Sequence, residues 1–327
     1  MKRILWIWGL AVMAAVPVHA DVAELSADVV TPAYARFAEA AAKLDQAAQA
    51  DCSASALREP YQEAWDAWAA IDFLHLGPVE DQGRSLAIAF WPDKKSSGLR
   101  TQQGLIDADS PVIGDPEAFA SISVAARGLS GLERLIYAGA LKGDEAALCR
   151  LRQATAADLA RMAAEIRDEW PGYATLLLTA GQAGNTAYLT EDEARQAAYT
   201  QLVAGLEYLA DTRLGRPLGA PERPRPERAE SLAAKRGARN VALSLRGMRD
   251  YALALYPDAP ATASAFERAI AMAENLEDPA LAGAADPRGR ARIVALQYAV
   301  RDAKYAVETE IGEALGLDVG FNSQDGD

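Results

Sequence analysis

Apolar residues recur at steps of three and four over about 33–50, 60–75, 116–140, 144–169, 191–213, 228–256, 262–276 and 288–314. That spacing lines one face of a helix, and the stretches between prolines have helical length. Ala, Leu, Glu and Arg dominate while β-branched runs are scarce, which points the same way. The pattern predicts an all-α chain. Eight helices in this length suggest two antiparallel bundles of about four helices each, forming one compact body. The expected division is 21–185 and 186–327, with the break in the Gly/Thr-rich stretch from Thr179 to Thr190. Arg216 to Pro226, rich in Pro and Arg, reads as a loop or linker. Residues 76–115 are different. They are rich in Gly, Pro, Asp and Ser, show little helical pattern, and read as a long loop pinned by Phe90 and Trp91.

The first residues change the picture of where this fold lives. Lys2 and Arg3 precede an uncharged apolar run from Ile4 to Val16, broken by Pro17 and followed by Val18-His19-Ala20. This is the layout of a cleavable signal peptide over 1–20, and it predicts an exported, periplasmic chain beginning at Asp21. The run is too short to span a bilayer, no later segment is long and apolar enough, and no Cys follows the cleavage point to carry a lipid. Losing Lys2 and Arg3 takes the net charge from −13 to −15, which disfavours nucleic acid as a partner. Two cysteines in an oxidising compartment predict one disulfide, Cys52 to Cys149. His75 is the only histidine left after cleavage, so multi-histidine metal sites are excluded and a Ser-His-Asp triad is disfavoured. Beside Gly77-Pro78, at a helix end, His75 fits capping or packing better than ligation.

Asp115-Pro116 is a strong helix start, an N-cap with proline behind it. From there Phe119, Ile122, Ala126, Leu129 and Ile136 mark a buried stripe, and a step of four from Leu129 lands on Glu133. A carboxylate on such a stripe needs a partner: an Arg from a neighbouring helix, or a ligand in a polar site. Ser130 shares its face one turn away. Gly128 and Gly131 cost helix propensity, which implies close approach of another backbone. In Phe90-Trp91-Pro92-Asp93, the aromatics serve as anchors and Asp93 as a cap of the following turn.

Three segments together resemble the imelysin-like family, in particular its branch of predicted periplasmic lipoproteins. They are Gly128-Leu129-Ser130-Gly131-Leu132-Glu133, Phe90-Trp91-Pro92-Asp93, and the ending Gly320-Phe321-Asn322 through Asp325-Gly326-Asp327. Trp65 and Trp68 ahead of Gly77-Pro78 fit as well. The resemblance implies two helical bundles with a site between them, a role in iron acquisition, and an older assignment as a metallopeptidase. It implies a ligand site of Ser130, Glu133, Trp91, Asp93, Asn322 and Asp325, with Glu133 as the metal ligand. The family motif is Gly-x-His-x-x-Glu, and Ser130 stands in the histidine position. A hydroxyl is a poor ligand for iron or zinc, so binding of iron or another divalent cation is weakened.

The leading expectation is therefore a non-enzymatic periplasmic protein of iron or metal uptake. It would bind a metal ion or small ligand between the bundles and work with envelope iron-uptake components. The alternative is a metallopeptidase-like or other hydrolase using Glu133 as general base with Ser130. Serine without an adjacent histidine is a poor nucleophile system.

Overall fold

The computed structural model describes residues 22–317. The signal segment and the C-terminal positions Asn322 and Asp325 lie outside the described residues. Within them the chain is helical over most of its length, with no strand and a single isolated bridge between Ala220 and Arg223.

The main helices are α1 (Thr31–Ala50), α2 (Arg58–Ala69), α3 (Ser97–Asp107), the short α4 (Gly128–Glu133), α5 (Glu145–Leu178), α6 (Glu191–Glu207), α7 (Gly237–Leu255), α8 (Pro260–Glu274) and α9 (Pro287–Ala306), and all but α3 and α4 fall close to the apolar periodicity. In the first half α1 lies along α5 and α2; in the second α8 is sandwiched between α7 and α9. The halves meet where α7 packs on α2 and on the π-helical segment Leu25–Val30. Gly247 permits that approach, since a Cβ there would stand 1.8 Å from the Ala70 carbonyl oxygen. One continuous set of buried side chains runs from Val22 to Leu317 through both halves. Cys52, just past α1, is bonded to Cys149 near the start of α5, with Cα atoms 5.2 Å apart.

Three expectations need correction. The 76–115 segment is not a structureless loop. It holds α3 and the short helix Arg84–Ile88, and its Ile106 and Ile113 join Phe119, Leu135, Leu141, Ala147 and Leu151 in a second core. Nor is 116–140 one helix. Asp115 caps as expected, accepting from the Glu117 and Ala118 N–H groups, but the helix stops at Ala120. Arg127 is extended, and Gly128 turns with φ +60°, its missing side chain leaving room for the Ala87 and Ile88 carbonyls. The stripe is accordingly split: Phe119 enters the second core, Leu129 and Ile136 the first. Finally, α5 does not end before Pro171 but runs to Leu178. Proline costs a helix its backbone hydrogen bond. Here Ile166, Trp170, Ala174 and Leu177 are buried on both sides of it, and Trp170 also donates to Ser26 Oγ at 3.2 Å. Packing outweighs the lost bond.

Candidate functional site

A cleft of about 590 Å³ opens between the halves. The first half supplies Trp91, Pro92, Asp93, Lys94, Glu133 and Arg134; the second supplies Arg216 and the segment 227–233.

Each wall follows from local structure. Asp93 accepts from the N–H and hydroxyl of Ser97 and the N–H of Gly98, all at 2.8 Å, so it caps α3 and fixes the loop carrying Trp91. Burial raises its carboxyl, but those donors outweigh burial and hold it below the usual range. Trp91 meets Tyr208 edge-on, centroids 6.5 Å apart, and carries the Arg216 guanidinium over its face at 5.6 Å. Tyr208 opens the π-helical segment Tyr208–Leu214 that continues α6. Glu133, half-buried at the end of α4, is followed by another π segment, Arg134–Ala138. Extra-residue turns of this kind recur at functional sites.

Of the two partners expected for Glu133, a neighbouring arginine or a ligand, no arginine pairs with it among the described residues. Its Oε1 accepts the Ala234 N–H at 2.9 Å, so it fastens the second half's cleft segment to α4. Burial raises its carboxyl above the usual value; the Ala234 N–H opposes this, and the Glu230 charge adds to it. Arg134 turns away instead, with Nε on Gln102 Oε1 at 2.8 Å and Nη2 on the Ala125 carbonyl.

Beneath the cleft segment lies a buried charge cluster that joins the halves. Arg213 Nη2 donates to Asp72 Oδ2 at 2.6 Å and to Glu230 Oε1 at 3.2 Å, while Nη1 donates to Ser244 Oγ at 2.7 Å. Its Nε lies 2.9 Å from Glu230 Oε2 without the alignment of a hydrogen bond. Asn240 Nδ2 adds a bond to Glu230 at 3.0 Å. Beside it, buried Arg236 holds Asp66 Oδ1 at 2.6 Å.

The structure therefore brings Trp91, Asp93 and Glu133 to one cleft. Ser130, 9 % exposed, is not among the lining residues, and no hydrogen bond joins it to Glu133. A Ser-Glu hydrolytic pair has no geometric support. His75 pairs with Glu80 at 2.8 Å, away from the cleft. Among the described residues no group of three or more His, Cys, Asp or Glu is placed to hold a metal ion. Glu133, already engaged by backbone, does not by itself make a transition-metal site. Sequence reasoning missed Arg216 because the Pro/Arg-rich segment read as a linker, and Arg228 and Ser231 because 228–256 read as one helix, whereas the helix begins only at Gly237.

The imelysin family model matches residues 30–307. The chain belongs to the imelysin family. The chain is also similar in sequence to iron-regulated protein A from Synechococcus elongatus, 26% identical over 318 residues, covering 86% of this chain and 83% of that protein. The fold matches an imelysin-like protein from Psychrobacter arcticum 273-4 with a TM-score of 0.74 at 20% identity, over 92% of this chain and 96% of that one.

Proposed function

We propose that this imelysin-family protein is a periplasmic binding protein of iron acquisition, and that the cleft between its halves is the binding site. The observation that carries the reading is the convergence of the Trp91–Asp93 loop and Glu133 with Arg216 and the segment 227–233, far apart in sequence, on one cavity between the two halves. Its volume is that of a small-molecule site, and aromatic and charged groups line it together, as recognition requires. The similarity to an iron-regulated protein supplies the link to iron. The signal segment and the disulfide support export to an oxidising compartment. Binding rather than hydrolysis is favoured because Ser130 lies off the cleft and Glu133 is tied to the Ala234 N–H.

The test is iron-limited growth and radio-iron uptake in strains carrying the wild-type protein, Trp91→Ala or no protein. Trp91→Ala should resemble the deletion while accumulating to normal levels in the periplasmic fraction. Wild-type growth and uptake by the deletion strain would refute the iron role.

A further inference from the structure

The charge of the cleft runs against that of the chain. In a protein of net charge −13, four cations line it (Lys94, Arg134, Arg216 and Arg228) against three carboxylates (Asp93, Glu133 and Glu227). All three carboxylates are already engaged by the protein. Asp93 caps α3, Glu133 holds the Ala234 N–H, and Glu227 lies 3.5 Å from Arg225. Arg134 is spent on Gln102 and Ala125. Arg216, Arg228 and Lys94 have no carboxylate partner and no side-chain hydrogen bond among the described residues.

Arg216 is the decisive group. Its guanidinium is stacked on Trp91, which fixes its plane, and its Nε is buried without a hydrogen-bond partner from the protein. A buried donor left unmatched is costly, and a guanidinium cannot shed its proton to escape the cost. The facing segment is strained as well: Ser231, lining the cleft, adopts φ +48°. Backbone strain in a non-glycine residue concentrates at binding sites. A stacked guanidinium presents a planar fork that matches the paired oxygens of a carboxylate or phosphate.

We propose that the ligand of this cleft is a compact oxyanion with at least two negative charges, a polycarboxylate or a phosphate, gripped by Arg216 against Trp91 and by Arg228 and Lys94 at the rim. The proposal rests on the cleft being the binding site and names the chemistry it selects. It also connects the site to iron without a protein-built metal centre. Hard oxygen donors hold iron, so an iron chelate with free carboxylates could be gripped through its chelator.

Calorimetry on the full exported protein would use three probes (citrate, iron(III) citrate and inorganic phosphate), with uncharged triethyl citrate as control. At least one anion should bind saturably, one per protein, and more weakly as salt is raised. Arg216→Gln should weaken it about tenfold or more, with Arg216→Lys in between because the charge survives and the fork does not. Melting curves would establish that both variants are folded. Tightest binding by phosphate, citrate or the iron chelate identifies the source of the oxyanion. Absence of binding by all three anions, or equal binding by folded Arg216→Gln, overturns the proposal. Iron-limited growth is read separately. If no anion binds but Trp91→Ala still abolishes growth, the oxyanion proposal fails and the iron-binding reading stands. If anions bind while Trp91→Ala and Arg216→Gln strains grow like wild type, the iron reading fails and the oxyanion site stands.

Discussion

Arg213→Met tests whether the buried cluster beneath the cleft holds the halves together. The side chains of Arg213, Asp72 and Glu230 are 4 %, 8 % and 4 % exposed, so two carboxylates share one guanidinium almost out of water. Methionine keeps much of the volume and removes the cation, stranding both acids. Breaking a buried pair from one side costs about 3–5 kcal/mol. For a protein of this size that lowers the melting temperature by on the order of 10 °C. The loss should depend on pH, with a definite sign. Burial raises the Asp72 carboxyl above its usual value even with Arg213 present. A carboxyl with a raised folded value binds its proton more tightly when folded, so its cost is absent below the unfolded value and grows as pH rises toward the folded one. The deficit of Arg213→Met should therefore be largest near neutrality and shrink toward acid. The triple variant Arg213→Met, Asp72→Asn, Glu230→Gln should recover most of the stability, because no charge is left unpaired. Denaturant unfolding of all variants across pH measures this. A loss below about 1 kcal/mol at neutral pH, or one that deepens toward acid, would show that the cluster is solvated and that Arg213 does not bind the halves.

Glu133→Ala should cost about 1–3 kcal/mol by leaving the buried Ala234 N–H without its acceptor, with Glu133→Gln nearer wild type; equal losses in both would assign the effect to charge. Gly247→Ala should be among the most damaging small substitutions, because its Cβ would collide with backbone rather than a side chain that can move; a fully stable variant contradicts the close approach of α7 to Ala70. Thiol titration of the exported protein, unfolded without reductant, should find none free. Reducing the Cys52–Cys149 bond, whose cysteines are 97 residues apart, should cost about 4–5 kcal/mol in the chain-entropy model. Mass spectrometry of the exported protein should show Asp21 as the first residue, and an intact Met1 would remove the signal-peptide reading.

The all-helical fold was legible because long helices bury a stripe with a fixed period, and α1, α6, α8 and α9 follow that period closely. The failures share one physical cause: local preference was overruled by contacts distant in sequence. Pro171 reads as a stop, yet Trp170 and Ala174 are buried on either side of it and hold α5 together. Conversely, the even spacing from Phe119 to Ile136 reads as one helix, yet it serves two separate cores across the turn at Gly128. Spacing counts residues along the chain and carries no record of which core each one enters.

The site was half legible for a related reason. Glu133 stood out because a carboxylate on an apolar stripe demands a partner, but no periodicity could say that the partner would be the Ala234 N–H, 101 residues away. Asp93 capping α3 was readable, since an Asp ahead of two serines and a glycine is a local matter. Arg216 was not. Its meaning depends on Trp91, brought against it only when the halves close, and on every nearby carboxylate being engaged elsewhere. An arginine in a Pro/Arg-rich segment is ordinary until its surroundings leave its Nε buried and unmatched. Ser130→His tests the geometry on the other side of Glu133. Ser130 is buried and off the cleft, so an imidazole there meets packed interior rather than Glu133's side of the cavity. The variant should lose stability and gain no metal-dependent rise in melting temperature. A gain that Glu133→Ala abolishes would show instead that position 130 reaches the cleft and that the residues lining it have been misassigned.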